Sequence, residues 1–401
     1  MSSDSPQSGY GRPRPSHNAE LTEVGPGRPA GELLRRYWQP VGVAAELGDR
    51  PTPVRVLGED LILFRDGRGR VGLFDPRCAH RGTSLYYGRI EPAGLRCCYH
   101  GWLFDVEGRC LEQPCEPPDS TYNTKVRQPW YPCREYRGLV FACMGPVDRM
   151  PVFPRWDLIE EGDGVVIADG TSYGLGAGVV LDCNWLQTWE NVMDPFHVFV
   201  LHNTFSGGQF AAALSQRPQV TWEYSARGMR SIQDRPQPDG ALYRRITEVL
   251  IPNVRIVPSV AAGTKGEGFQ QASIIGWHLP IDDTHTRMYS LLRVPVGADG
   301  RPLVAPRARH AGKAWAELTE EEHQRMPGDA EAMVSQGPIA AHALEHLATS
   351  DRGVIMVRRL LKQQIDVVRE GKDPIGILRD PDHDLIVTTA GNAVISAPAV
   401  V

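Results

Sequence analysis

Several features are scarce in this 401-residue chain, and each absence excludes something. Long apolar runs are missing: the strongest, Leu139 to Met144, falls far short of the roughly 20 residues needed to cross a bilayer. The first 29 residues hold five prolines among Gly and Ser and no apolar core of the kind a secretory signal needs, so they read as a flexible tail and place the protein in the cytoplasm. A basic excess is also missing. Lys plus Arg number 43 against 48 for Asp plus Glu, a net charge of −5, so a phosphate backbone has little to bind. Eight cysteines are too few for a disulfide scaffold and are better considered as thiols or metal ligands. No internal repeat and no nucleotide-binding motif is found. What remains is a balanced globular composition, 41% hydrophobic and 23% charged, long enough for two or three domains.

The texture changes along the chain. Residues 1–29 form the tail, and AGELLRRYW (Ala30–Trp38) looks like a short leading helix. Pro40 to Cys143 holds short β-rich runs punctuated by Gly, Pro and Asp, as in a small all-β domain. A Pro-rich stretch, Gly145 to Asp157, suits a linker, so domains are expected at 30–150 and 151–401. The second is mixed, with strand-like runs at Val165–Ala168, Arg244–Pro258, Gln271–Leu279 and Thr286–Val296 and helical segments at Asn184–His202 and Ile339–Gly371. An antiparallel sheet covered by helices, and hence an α+β chain, is the expectation. Gly297 to Gly337 reads as loops with one possible short helix.

The strongest chemical signal is Cys78-Ala-His80 followed 16 residues later by Cys97-Cys98-Tyr99-His100. Each turn offers one thiolate and one imidazole, and two such turns face to face supply the two sulfurs and two nitrogens of a Rieske 2Fe-2S cluster. A structural zinc site would accept the same set, although its ligands more often come as a Cys pair and a His pair. Cys98 competes with Cys97, because Cys98-Tyr99-His100 repeats the spacing of the first turn; the unused one of the two is read as a buried thiol, and Cys110, Cys115, Cys133, Cys143 and Cys183 as reduced core cysteines.

A second constellation lies in NWLQTWENVMDPFHVFVLH, Asn184 to His202. Trp185, Trp189 and Phe196 trace an apolar face, and Glu190, Asp194 and His197 recur beside it at helical spacing. His202 stands about 140° round an ideal helix from His197, so joint ligation by both requires a local distortion such as a π-bulge, for which Pro195 gives a cause. An oxygen-activating non-haem iron takes two histidines and one carboxylate on one face. Asp351 is the carboxylate candidate, because it precedes the apolar stripe Val354, Ile355, Leu361, Ile365, Val368; the competing reading is that Ser350 or Asp351 caps that helix. His342-Ala-Leu-Glu345-His346 matches an inverted zinc-peptidase pattern, a weak match that leaves the cysteine turns without a role.

Together these segments resemble the oxygenase α subunit of the Rieske non-haem iron aromatic ring-hydroxylating oxygenases, in the α-only branch of phthalate 4,5-dioxygenase and the aromatic O-demethylases. The resemblance runs from GELLRRYWQPVG through CAHRG, CCYHGW and ENVMDPFHVFVLH to SQGPIAAHALEHLATSDRGVIMVRRLL, most of residues 31 to 375. It implies a Rieske β domain joined to a helix-grip (START-like) catalytic domain with an antiparallel sheet. Cys78, His80, Cys97 and His100 would hold the cluster, and His197, His202 and Asp351 a mononuclear Fe(II). Asp194 would bridge His197 to the cluster histidine, His100, of a neighbouring subunit in a head-to-tail trimer. Asn191 would lie close behind the iron ligands, and Glu190 would support the contact between subunits.

The resemblance also implies a terminal oxygenase that takes O2 and electrons from NAD(P)H through a separate ferredoxin or flavin reductase, in the catabolism of an aromatic carboxylate-type substrate. Three outcomes stay open: a cis-dihydrodiol, a phenol, or a demethylated phenol plus formaldehyde. Arg244, Arg245 and Arg255 could pair with a substrate carboxylate. Two readings of other classes compete. A Rieske electron carrier has no use for the roughly 250 residues after the β domain, and a helix-grip module that binds a ligand without chemistry needs no iron.

Overall fold

The computed structural model describes residues 14–172, 175–176, 178–205, 210–260, 268–303, 313 and 315–395. The ordered fold begins before residue 30, contrary to the tail reading. Helix α1 (Ala19–Thr22) and helix α2 (Pro29–Leu34, with Pro at its first turn) bury Leu21, Val24, Leu33 and Leu34. Trp38 does not continue the leading helix but opens strand β1 (Trp38–Val43).

Strands β2 (Thr52–Val56), β3 (Glu59–Arg65) and β4 (Val71–Phe74) make an antiparallel meander. In β3 the two-residue period divides side chains between two cores: Leu61 and Leu63 enter the large core of the molecule, whereas Ile62 and Phe64 enter a smaller one with Phe74, Leu85, Leu95 and Phe104. That smaller core supports a second sheet of β5 (Arg89–Glu91), β6 (Gly94–Arg96), β7 (Leu103–Phe104) and β8 (Cys110–Glu112). Strand β9 (Trp130–Tyr131) then adds to β4, and β10 (Cys133–Tyr136) and β11 (Leu139–Cys143) join β1 in the order β1-β11-β10.

The Pro-rich stretch leads through β12 (Arg155–Trp156) and helix α3 (Asp157–Glu160) to β13 (Val165–Asp169). Helix α4 (Trp185–Glu190) starts where the Asn184 side chain accepts the Leu186 N–H, and a separate short helix α5 (Phe196–Phe199) follows. The large sheet is then laid down by β14 (Gln219–Tyr224), β15 (Gly228–Pro236), β16 (Leu242–Leu250), β17 (Val254–Ile256), β18 (Gly268–Gln271), β19 (Ile274–Pro280) and β20 (Thr286–Val294). Helices α6 (Glu320–Arg325), α7 (Asp329–Val334) and α8 (Arg352–Arg369) follow, then β21 (Leu385–Ile386), which pairs in parallel with β12 in a separate two-stranded sheet, and β22 (Gly391–Ile395), which joins the large one. The main path is β13-β20-β19-β17-β16-β15-β14, antiparallel throughout, with β22 beside β16 and β18 beside β22.

The α+β expectation therefore holds. One face of β17 and β19 packs on the β1-β11-β10 sheet, where Trp277 meets Phe141 edge-on at 5.2 Å. On the opposite face His278 Nδ1 lies 2.9 Å from Thr188 Oγ1 of α4, so that face looks toward the segment carrying the two histidines. The helix expected over Ile339–Gly371 exists only from Arg352. Its buried stripe is Val354, Val357, Leu361, Ile365 and Val368, and Ile355 faces outward.

Candidate metal centres

The two Cys/His turns close alike. Cys78 N–H bonds to the Thr83 carbonyl at 2.9 Å and Gly82 N–H to the Cys78 carbonyl at 2.8 Å; Cys97 N–H bonds to the Trp102 carbonyl at 2.9 Å and Gly101 N–H to the Cys97 carbonyl at 3.1 Å. Gly82 and Gly101 hold φ of +73° and +71°, a left-handed conformation that a Cβ would strain. The matched hydrogen bonds make Cys97 the counterpart of Cys78. Both are buried, whereas Cys98 and Cys115 are exposed, which corrects the expectation of buried thiols there; Cys133 is half-buried against the large core. The His80 and His100 rings stand 4.6 Å apart, and Trp102 stacks on His80 at 4.3 Å.

Gln128 was not picked out from the sequence. Fully buried, it accepts the Ala79 N–H at 2.8 Å and donates to the carbonyls of Asp75 and Arg77 at 3.0 and 2.9 Å, fixing the first turn. Arg96 does the same for the second turn, donating to the Gly101 carbonyl at 2.6 Å while Glu91 and Glu112 hold its other nitrogens.

The second centre is built by interrupting a helix. After α4 the chain makes a 3₁₀ turn (Asn191–Met193), and Asp194, before Pro195, is driven to extended backbone at φ −103°, ψ 93°. Helix α5 then restarts, with Asp194 Oδ1 accepting the Phe196 N–H at 3.0 Å. Val200–Phe205 is a π-helix, the distortion the sequence required. Asn203 Nδ2 donates to the Val198 carbonyl at 2.8 Å and Thr204 Oγ1 to the Phe199 carbonyl at 3.0 Å, so side chains one position along satisfy carbonyls in the widened turn. His197 and His202 thus come side by side, with ring centroids 5.5 Å apart.

The carboxylate that meets them is Asp329, not Asp351. Asp329 Oδ1 lies 3.0 Å from His202 Nε2 and 3.5 Å from His197 Nε2, and the three donor atoms lie within 4.8 Å of one another. Asp329 opens α7, which is docked by buried Ala330 and Met333 and tied to α4 where Gln187 Nε2 donates to the Met333 and Gly337 carbonyls. Asp351 instead turns back to accept the Ala348 N–H at 2.7 Å, the capping type of role that competed for it. Asn191 Nδ2 is 3.5 Å from Asp329 Oδ1, and Asp194 Oδ2 is 3.6 Å from His197 Nδ1 on the far side of the ring.

These two constellations coincide with two family models: the Rieske [2Fe-2S] domain over residues 37–132 and the vanillate O-demethylase oxygenase C-terminal domain over 181–367. The chain is 47% identical over 388 residues to the phenoxybenzoate dioxygenase subunit alpha of Ectopseudomonas oleovorans, covering 94% of this chain and 92% of that protein. The chain is a Rieske non-haem iron oxygenase subunit. A further relative is the tert-butanol monooxygenase / tert-amyl alcohol desaturase oxygenase subunit of Aquincola tertiaricarbonis, 39% identical over 373 residues, 87% of this chain and 76% of that one. The fold matches NdmA of Pseudomonas putida CBB5 with caffeine at a TM-score of 0.63 and 20% identity, over 88% of this chain and 99% of that one.

Both donor sets fit the metals of this oxygenase family. Burial pushes the Cys78 thiol up to about 12, with Cys97 beside it reinforcing the shift, so Cys78 sheds its proton only to a strongly positive partner such as a di-iron cluster. Burial, with His100 and Arg81 nearby, keeps His80 below its ordinary value and so neutral and able to ligate. At the second centre burial presses His197 toward neutrality, but the carboxylates of Asp194 and Asp329 overcome it, the signature of a pocket that attracts a cation. Two histidines and one carboxylate are the ligand set of a non-haem iron that keeps open positions.

The other predicted residues are placed elsewhere. Glu190 does not share a face with Asp194 and His197; it is buried and clamped by Arg358 of α8 at 2.6 Å through both oxygens. Arg358 also binds Glu345, and His342 sits in a 3₁₀ turn while Glu345 is extended, so the peptidase pattern never forms one helix face. Arg244 pairs outward with Asp234, Arg245 is buried against the Pro258 and Ser259 carbonyls, and Arg255 donates to Ser290 Oγ.

Proposed function

We propose that this oxygenase subunit inserts oxygen into an aromatic carboxylate, with a phenoxybenzoate-type acid as the first candidate because of the 47% identical relative. Cys78, His80, Cys97 and His100 would hold the cluster, and His197, His202 and Asp329 the mononuclear iron. Iron held there supplies O2 activation, fed by electrons that a separate reductase draws from NAD(P)H. The residues of the chain do the positioning: Asn203 and Thr204 hold the π-turn open, Asn191 restrains Asp329, and the Asp194 carboxylate faces the ring of His197 from behind.

The observation that carries this reading is the convergence of His197, His202 and Asp329 on one face, with Asp194 on the other face of His197. Asp194 keeps a quarter or more of its side chain exposed, at 29%, which leaves it open to His100 of the partner subunit in a head-to-tail trimer. Two exposed apolar areas suit such a contact: Tyr86, Tyr87 and Tyr99 around the cluster turns, and Val200 and Phe205 beside the iron histidines.

Asp194→Asn tests the path. Both metal contents should stay unchanged, while reoxidation of the reduced cluster in a single turnover with phenoxybenzoate slows by at least about 100-fold. Unchanged reoxidation would sink the role of Asp194, and a wild-type monomer in sedimentation would sink the trimer.

A further inference from the structure

The substrate class proposed above has a counterpart in a buried charge that no hydrogen bond or ion pair among the described residues satisfies. On β15 the alternate residues Met229, Ser231, Gln233 and Arg235 are buried, and the residues between them are half-buried. Register carries that face across the sheet: Gln233 opposes Arg245, Val249 opposes Arg255, and Arg255 opposes Gly276, two residues from His278, which touches α4. Arg235 therefore stands on the face that looks toward the iron-binding segment.

Arg235 is completely buried, and Nε, Nη1 and Nη2 all lack a hydrogen-bond partner. Its charged neighbour is another cation, Arg245, whose nitrogens are already directed at the Pro258 and Ser259 carbonyls and Asn392. Asp234 cannot help, because it points the other way and is held by Arg244 through two bonds of 2.7 Å. Among the described residues no carboxylate pairs with either buried guanidinium. An ionised group out of water without acceptors is strongly unfavourable, and guanidinium cannot escape by losing its proton at neutral pH. The arrangement makes sense when an anion arrives.

The place is also right. Gln237 Nε2 bridges the Arg235 carbonyl at 3.0 Å and the Ala213 carbonyl at 3.3 Å; the next carbonyl, of Leu214, accepts from Asn203 Nδ2, next to His202, at 3.3 Å. Phe210, at the start of the same segment, lies 4.2 Å from the His202 ring. These bonds place the Arg235 backbone, at the end of β15, beside the strap that borders the iron histidines.

We infer that Arg235 anchors the substrate carboxylate, binding it through the fork of its guanidinium on the inner face of the large sheet, so that the enzyme selects aromatic acids over uncharged analogues. The arginines named from sequence fail here for a stated reason: Arg244 faces outward, and Arg245 and Arg255 are engaged with the protein. The inference rests on the oxygenase reading for its substrate class but not for its test.

The test is calorimetric titration of the full chain, assayed for iron and sulfide, with phenoxybenzoate and with its uncharged amide. Wild type should bind the acid at least tenfold more tightly than the amide. Arg235→Met should weaken the acid about 100-fold, as for loss of a charge-assisted bidentate pair, and leave the amide within threefold. Arg235→Lys should fall between, and Arg244→Met should match wild type. The ligand-free Arg235→Met protein should melt no lower than wild type, whereas a structural arginine would lower the melting temperature. Acid binding within threefold of wild type in Arg235→Met overturns the inference, as does equal wild-type affinity for acid and amide, even with both metal centres filled. Protein with both metal centres filled that discriminates through Arg235 yet does not oxygenate phenoxybenzoate would uphold the anion site and overturn the substrate proposed above.

Discussion

Exchanging Asp329 and Asp351 separately distinguishes the carboxylate found beside the histidines from the one that the helical pattern favoured. Asp329 Oδ1 is 3.0 and 3.5 Å from the two imidazole nitrogens, and Asp329→Ala leaves a two-histidine site. Loss of a residue that merely orients a ligand already costs 10–100-fold in metal affinity, so loss of the ligand itself should cost at least about 100-fold. Iron should fall from about three to about two per chain with sulfide constant, because the cluster turns sit on a different core. Asp351→Ala removes one hydrogen bond, to the Ala348 N–H, and should cost about 1 kcal/mol of stability with iron near three per chain. The assay is iron and acid-labile sulfide on anaerobically purified protein, with urea unfolding on the same samples. Iron lost from Asp351→Ala and kept by Asp329→Ala would refute the reasoning.

Four further outcomes follow from the geometry. Asn203→Ala frees the Val198 carbonyl and should relax the π-turn, lowering mononuclear iron affinity roughly tenfold with the cluster spectrum unchanged; unaltered iron binding would show that the turn holds without it. Gln128→Leu strands an N–H and two carbonyls at the first cluster turn, and should cost about 3 kcal/mol and accelerate cluster bleaching, read by visible absorbance. Arg358→Met leaves Glu190 and Glu345 without their shared cation, and should destabilise by about 3–5 kcal/mol in urea unfolding. Glu91, held down to about 2 chiefly by Arg96 against the opposing effect of burial, contributes stability that is present above its unfolded value near 4.5 and lost as pH falls through about 2. Glu91→Gln should therefore be less stable at pH 7 by about 1 kcal/mol after solvent screening, with the difference shrinking below pH 4.5; a pH-independent gap would reject the assignment.

What the sequence revealed and what it concealed follow from how local each constraint is. Four soft ligands in two short turns specify a cluster almost by themselves; spacing alone leaves Cys97 and Cys98 open, the family resemblance favours Cys97, and the matched closing hydrogen bonds to the Thr83 and Trp102 carbonyls agree with it. The π-turn was legible for a geometric reason: two histidines five residues apart cannot share a face of an ideal helix. Asp329 was hidden because α7 has six residues and one dominant role for an acid in a first helical turn, complementing the dipole, so nothing local separates a ligand from Glu331 two positions on, which bonds the Gly328 N–H. Its selection is tertiary, made by Gln187 and by the packing of Ala330 and Met333. Arg235 is the same problem in a strand. Alternation marks it as inward-facing once β15 is recognised, but only the burial of its guanidinium, with Asp234 turned away and Arg245 already engaged, distinguishes a receptor for an anion from the structural arginines on either side of it.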